Sequence, residues 1–291
     1  MTGTNRDEET GKPQMFEIDA ARIEVFRSRG DIGALVIGAA HPASPFGADT
    51  AGLISTITRK GAVCINPRGL GGSSPAEAVS LERMVDDIEA ARRRLALPRW
   101  VFWGMSGGGW LAQIYAYRHP EALAGIIVES ACTCFRQRLA DPACVISPFF
   151  PAWRGALASR GLLIDGSHAT ASPVDDNEWV DIEGIGAVFR RRGGPALLVS
   201  PMPVEQDMRR AMPQLWTFDS RAWLRAVRTP TLVIAGSADP VVPVHQVREV
   251  HEAIPNSTFL VVEGGGHVPS AQKHPDAVRA IRHFLSEVAE A

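Results

Sequence analysis

The chain has 291 residues, 45% of them hydrophobic and 21% charged, an ordinary globular composition with enough length for a large core. Its net charge of −2 gives no electrostatic basis for binding nucleic acid or an anionic membrane surface. No apolar run approaches the roughly 18 residues that a spanning helix needs, so no membrane association is expected.

Residues 1–14 are polar, lack an apolar h-region, and are expected to form a disordered tail rather than a signal peptide. Met15 to Arg27 holds two alternating runs around Asp19-Ala20, the pattern of an antiparallel hairpin at a sheet edge. Gly33 to Ala40 is continuously apolar, as in a strand buried on both faces. A loop begins at His41-Pro42, and Asp49 to Arg59 can form a helix. Gly61 to Ile65 is the next buried strand and runs into the Gly-rich stretch from Asn66 to Ser74. Ser80 is a good N-cap for a helix whose apolar stripe is Leu81, Met84, Val85, Ile88, Ala91, Leu95 and Leu97. Asp86 and Asp87 on that helix read as a solvated or capping pair.

Arg99 to Trp103 is a strand, followed by Gly104-Met105-Ser106-Gly107-Gly108 and a helix-compatible run from Trp110 to Tyr117. Strand, sharp G-x-S-x-G turn and helix is the context of a nucleophile elbow. Gly125 to Val128 is a further buried strand. This alternation implies a mostly parallel sheet with helices on both faces. The rhythm stops from Cys132 to about Ser220, a region rich in Pro, Gly, Arg and Trp in which no strong strand is legible. It reads as an insertion folded over the sheet. Strands resume at Thr231 to Ala235 and Thr258 to Val262, and a final helix spans about Pro275 to Val288.

A serine hydroxyl needs an adjacent base, itself oriented by an acid. The elbow architecture orders these as Ser, acid, His. Asp239 lies in a turn just past one late strand and His267 in a Gly-rich loop past the next, so the expected triad is Ser106, Asp239 and His267. Glu129, at the end of the sixth strand, is the competing acid, and His245 the competing base. Of the four cysteines, Cys64 reads as a buried thiol. Cys132 and Cys134 are too close and too isolated for a zinc site by themselves. Free thiols in a reducing cytoplasm are expected, with a disulfide from Cys144 to Cys132 or Cys134 left open.

The motifs G-M-S-G-G, G-S-A-D-P-V-V-P, G-G-G-H-V-P and N-P-R-G-L-G-G-S resemble the α/β-hydrolase fold family over about Met15 to Val288. The elbow helix and the last motif are similar to the proline-iminopeptidase and esterase branch, with Asn66 where that loop usually has Asp. The resemblance implies a mixed eight-stranded sheet, with residues 15–131 and 221–291 as the core and a helical cap inserted at 132–220. It also implies an oxyanion hole from the backbone N–H groups of Gly107 and His41. Here Ala40 and His41 stand where relatives often carry Gly and the donor residue of His-Gly-x-Pro. Ala40, Met105, Trp179 and Trp216 are the expected substrate contacts. The aromatics Trp153, Trp179, Trp216, Trp223, Phe149, Phe150, Phe189 and Phe218 are expected mainly as cap core.

The expected chemistry is hydrolysis of a carboxylic ester or lactone on a small molecule, with no metal or organic cofactor. The alternatives are a proline-iminopeptidase-like aminopeptidase, for which Asp175-Asp176-Asn177-Glu178 would hold a substrate ammonium, and a ligand-binding relative without turnover. A homo-oligomer is compatible with the sequence.

Overall fold

The computed structural model describes residues 12–28, 35–76, 79–141, 143–144, 177–182, 186–191, 196–199, 215, 217–239 and 241–290. Strands β1 (Gln14–Ile18) and β2 (Ala21–Arg27) form the expected hairpin. Its two-residue turn carries positive φ at both Asp19 and Ala20, the handedness that matches strand twist. The tail therefore ends earlier than expected, because Gln14 already pairs with Val25. Of the expected tail, residues 1–11 lie outside the described residues.

Then follow β3 (Val36–Ala39), α1 (Ala48–Thr58), β4 (Gly61–Asn66), α2 (Leu81–Arg94), β5 (Trp100–Met105), α3 (Gly108–Arg118) and β6 (Leu123–Glu129). A short α4 (Phe135–Ala140) comes next. Past the strands β7 (Asn177–Ile182), β8 (Gly186–Arg191) and β9 (Ala196–Val199), the α/β rhythm resumes with β10 (Thr231–Gly236), α5 (Val244–Ala253), β11 (Ser257–Val262) and α6 (Pro275–Glu290).

The main sheet has eight strands in the order β1-β2-β4-β3-β5-β6-β10-β11. All pairings from β4 to β11 are parallel, and only the β1–β2 and β2–β4 pairs are antiparallel. Alternation along each central strand sends side chains to two separate cores. Val63, Ile65, Trp100, Phe102, Val233 and Ala235 pack with α2, α3 and α5. Ala62, Cys64, Val101, Trp103, Leu232 and Ile234 pack with α1 and α6. The result is a three-layer α/β/α domain.

Two expectations change. A helical cap with no strong strand is expected between β6 and β10, yet the described residues there include the antiparallel sheet β7-β8-β9 as well as the helix α4. The strand signals are short apolar runs edged by charges, and Gly184, Gly193 and Gly194 in the intervening sequence are turn formers. Runs this brief do not stand out from helix-compatible sequence. Second, Asp87 is not solvated. It is fully buried and takes a bidentate pair from Arg68 at 2.7 and 2.6 Å, which ties α2 to the Gly-rich loop after β4. Asp86 alone faces outward, toward Arg118.

The chain just after β6 and the chain around Ser220 run side by side. Cys134 bridges Asp219 in antiparallel fashion, and the Ser220 N–H donates to Thr133 O at 2.8 Å. The buried Gln113 of α3 fastens both legs, accepting from Ser220 Oγ at 2.7 Å and donating to Cys132 O at 3.1 Å. Among the described residues no helix is long and apolar enough to cross a membrane.

Candidate active site

Ser106 sits between β5 and α3 with φ of 51°, a left-handed conformation rare for a side chain larger than hydrogen. Such a turn holds only if its surroundings fix it. The Ser106 N–H donates to Glu129 O on β6 at 2.9 Å, and Ser106 O accepts from the Gly109 N–H at 2.9 Å. Gly104 is required by close approach, because a Cβ there would overlap the Gly108 carbonyl. At the start of α3 the unpaired N–H groups and the helix dipole face the serine.

Asp239 follows β10 and His267 follows β11, both at the carboxyl edge of the sheet, where ligands of open α/β folds collect. Their side chains meet, with His267 Nδ1 2.9 Å from Asp239 Oδ2 and 3.1 Å from Oδ1. Asp239 Oδ1 also accepts the backbone N–H groups of Val241 and Val242, at 2.8 and 3.0 Å. These two fixed donors leave the carboxylate one way to face, and it places the histidine proton on Nδ1. Nε2 then carries the lone pair and makes no hydrogen bond among the described residues. Both residues are buried.

The two competitors are engaged elsewhere. His245 is half exposed, its Nε2 2.5 Å from Asp141. Glu129 is completely buried and accepts from Trp103 Nε1 at 3.0 Å, from Ser270 Oγ at 2.6 Å and from the Ser270 N–H at 2.9 Å. Its neighbour Ser130 accepts from the Val268 N–H at 3.1 Å. The end of β6 therefore pins the residues that follow His267, while the Glu129 carbonyl pins Ser106. Burial raises the Glu129 carboxyl above the ordinary range, against the pull of its hydrogen bonds and of His267. Sequence reasoning weighed Glu129 as a triad acid and missed this bracing role. The available signal was an acid ending an otherwise apolar strand, followed by a second polar residue.

On the other side of the elbow, the His41 ring lies against Gly107. A Cβ at Gly107 would stand 2.7 Å from His41 Nε2. Burial, with the charge of His267 acting the same way, lowers the His41 imidazole to about 3, so it is neutral at working pH. No hydrogen bond within the described residues engages the backbone N–H of His41 or of Gly107.

The expected substrate contacts fare unevenly. Ala40 is fully buried, and its carbonyl lies where a Cβ on Gly108 would point. Met105 is partly buried against the core on the α1 and α6 side. Trp179 pairs with Phe189 in the β7–β8 ladder. Trp216, Trp153, Phe149, Phe150, Asp175 and Asp176 lie outside the described residues. Trp223 is not a cap residue. Its ring lies against the exposed Tyr117 of α3, tilted by 33° with centroids 4.8 Å apart. Phe218 is buried and packs on Trp110 at 5.5 Å. All four cysteines are free and buried, so no disulfide links Cys144 to Cys132 or Cys134. The Cys144 thiol instead donates to Val241 O at 3.1 Å, bracing the Asp239 loop.

The fold is that of a hydrolase built on an α/β sheet. The pattern of the alpha/beta hydrolase family matches residues 35–281, and the chain belongs to that family, which supports an enzyme with hydrolase activity. It is 27% identical over 241 residues to the "Putative carbamate hydrolase RutD" of Pseudomonas syringae pv. syringae (strain B728a), covering 80% of this chain and 86% of the relative. A proline iminopeptidase of Neisseria gonorrhoeae is 25% identical over 70% of this chain and 73% of its own length. A pimeloyl-[acyl-carrier protein] methyl ester esterase of Yersinia pseudotuberculosis serotype O:1b (strain IP 31758) is 26% identical, covering 75% of this chain and 80% of its own length.

Proposed function

We propose that the protein is a serine hydrolase that cleaves a carboxylic ester or lactone through an acyl-enzyme, with Ser106 as nucleophile, His267 as base and Asp239 as orienting acid. The observation that carries the reading is the Asp239–His267 pair, 2.9 Å apart on consecutive strand-end loops, on the same sheet edge as a serine with positive φ. In this mechanism His267 Nε2 takes the Ser106 proton as Oγ attacks the carbonyl carbon. The oxyanion is received by the N–H groups of Gly107 and His41, a contribution of about 3–4 kcal/mol per donor in enzymes where one has been removed. The tetrahedral species collapses, and the proton on His267 passes to the leaving alkoxide. Water then attacks the acyl-enzyme, again losing its proton to His267, and Ser106 is regenerated.

Ester chemistry is favoured over peptide chemistry by the loop from Ala40 to Pro42, which lacks the His-Gly-Gly-Pro-Gly of peptidase relatives. The methyl ester esterase relative supports the same choice, and the carbamate hydrolase relative keeps a carbamate within the class of carbonyl substrates to assay. The segment 132–220 is taken as the insertion that shapes the substrate pocket. Four free thiols fit a reducing compartment, which we take to be the cytoplasm.

The test is a panel of short-chain p-nitrophenyl esters, a carbamate and proline p-nitroanilide, run on wild type and Ser106→Ala. Esters are expected to exceed the anilide at least tenfold in kcat/KM, about 1.4 kcal/mol, and Ser106→Ala to abolish turnover with the fold intact. An anilide cleaved as well as the esters overturns the ester assignment. Activity surviving in Ser106→Ala removes the nucleophile.

A further inference from the structure

His41 has a second donor besides its backbone N–H. The N–H of Ala43 donates to His41 Nδ1 at 3.1 Å. A neutral imidazole that accepts at Nδ1 carries its proton on Nε2. Burial holds the ring neutral, and an imidazolium at His267 would oppose its protonation further. Nothing among the described residues accepts from Nε2, and that edge of the ring is turned to Gly107. Built from the backbone, a Cβ on Gly107 would meet Nε2 at 2.7 Å and Cε1 at 3.0 Å. The α-carbon of Gly107 is one bond from the N–H that this reading gives to the oxyanion.

Resting on the reading of Ser106 as nucleophile, we propose that His41 Nε2–H is a third donor to the substrate oxygen that becomes the oxyanion. The Ala43 N–H sets the tautomer, so the donor is fixed before substrate arrives. A neutral imidazole can polarise a carbonyl without carrying charge. That matters here, because His267 becomes an imidazolium in the same step and a second cation beside it would oppose proton transfer. The role also gives a reason for Gly at position 107, since any side chain would displace the ring.

Two substitutions separate donation from loop support. His41→Asn can still accept from the Ala43 N–H two residues on, but its side chain is too short to present a donor where Nε2 stands. His41→Gln reaches that place with its amide N–H and gives up the Ala43 bond. The readout is the rate at which a fluorophosphonate labels Ser106, followed by intact-mass spectrometry, because its phosphoryl oxygen occupies the same hole and no natural substrate is needed. Labelling of His41→Asn is expected to slow at least about tenfold, a smaller loss than the roughly 10²–10³-fold measured for removal of one donor, because two backbone donors remain. His41→Gln is expected to recover most of that loss. A His41→Asn rate within twofold of wild type, equal slowing of both variants, or a slower His41→Gln overturns the proposal while leaving the serine reading in place. Failure of the wild type to label at Ser106, with Ser106→Ala as control, overturns the serine reading and the inference with it.

Discussion

Replacing Glu129 with glutamine tests the bracing of the His267 loop. The carboxyl group receives two N–H donors that cannot turn, Trp103 Nε1 on Oε2 and the Ser270 backbone on Oε1, plus the rotatable Ser270 hydroxyl on Oε2. A glutamine amide has only one oxygen. If it faces Ser270, its NH2 meets the Trp103 indole. If it faces Trp103, its NH2 meets the Ser270 backbone. Either way one buried N–H loses its acceptor, a cost of about 1–3 kcal/mol. For a domain somewhat smaller than this one, each kcal/mol lowers the melting temperature by roughly 2–4 °C. The loss also depends on pH. Because burial raises the Glu129 carboxyl above its ordinary 4.5, the folded state holds this proton more tightly than the unfolded state. Its contribution to wild-type stability is then complete in acid and falls as pH rises from about 4.5 through the raised value. Glutamine does not titrate, so the gap between wild type and variant narrows as pH rises. Urea unfolding of both proteins across that range measures the gap. A variant as stable as wild type in acid, or a gap that widens with pH, refutes the argument.

Asp239→Asn is expected to lower kcat by about 10⁴. The amide oxygen can keep the Val241 and Val242 bonds, which turns its NH2 toward His267 and forces the wrong tautomer; a loss smaller than that of Glu129→Gln on the same esters would move the acid to β6. Asn66→Asp is expected to destabilise the fold increasingly as pH rises, because Asn66 Nδ2 donates to Glu24 Oε2 at 2.7 Å and an aspartate there would set two carboxylates together. Urea titrations at pH 5 and pH 8 check the sign, and an unchanged midpoint at pH 8 removes the argument.

The residues of the proposed triad can be picked out in the sequence because each stands in a local context that does not depend on the rest of the chain. Ser106 follows an apolar strand and precedes a helix, and Asp239 and His267 each follow an apolar strand with glycine close by. Such signals span fewer than ten residues. What escaped the sequence depends on residues far apart. Glu24 stands on β2 between Ile23 and Val25, where strict alternation sends it outward, yet the loop of Gly72 and Ser73 folds over it. Asp87 lies on the polar side of a helical stripe and is buried by Arg68. The sheet β7-β8-β9 has strands of four to six residues, too short for period alone to separate them from helix.

The buried acids at the sheet edge share a physical role. Loops at the carboxyl edge of the sheet have no ladder to satisfy their N–H groups, and a buried donor without an acceptor is costly. Carboxylates at that edge supply the acceptors. Glu24 takes the Gly72 N–H, Glu129 takes that of Ser270, and Asp239 takes those of Val241 and Val242. Each acid therefore fixes a loop, and two of those loops carry site residues. Asn66 fits the same logic. Its amide gives Glu24 a donor where an aspartate would give it a like charge, and its oxygen takes the Phe46 N–H at 2.7 Å, on the loop that begins at His41. The departure at Asn66 from the usual Asp is thus matched by Glu24 on β2 and coupled through Phe46 to the segment that holds the proposed oxyanion donor.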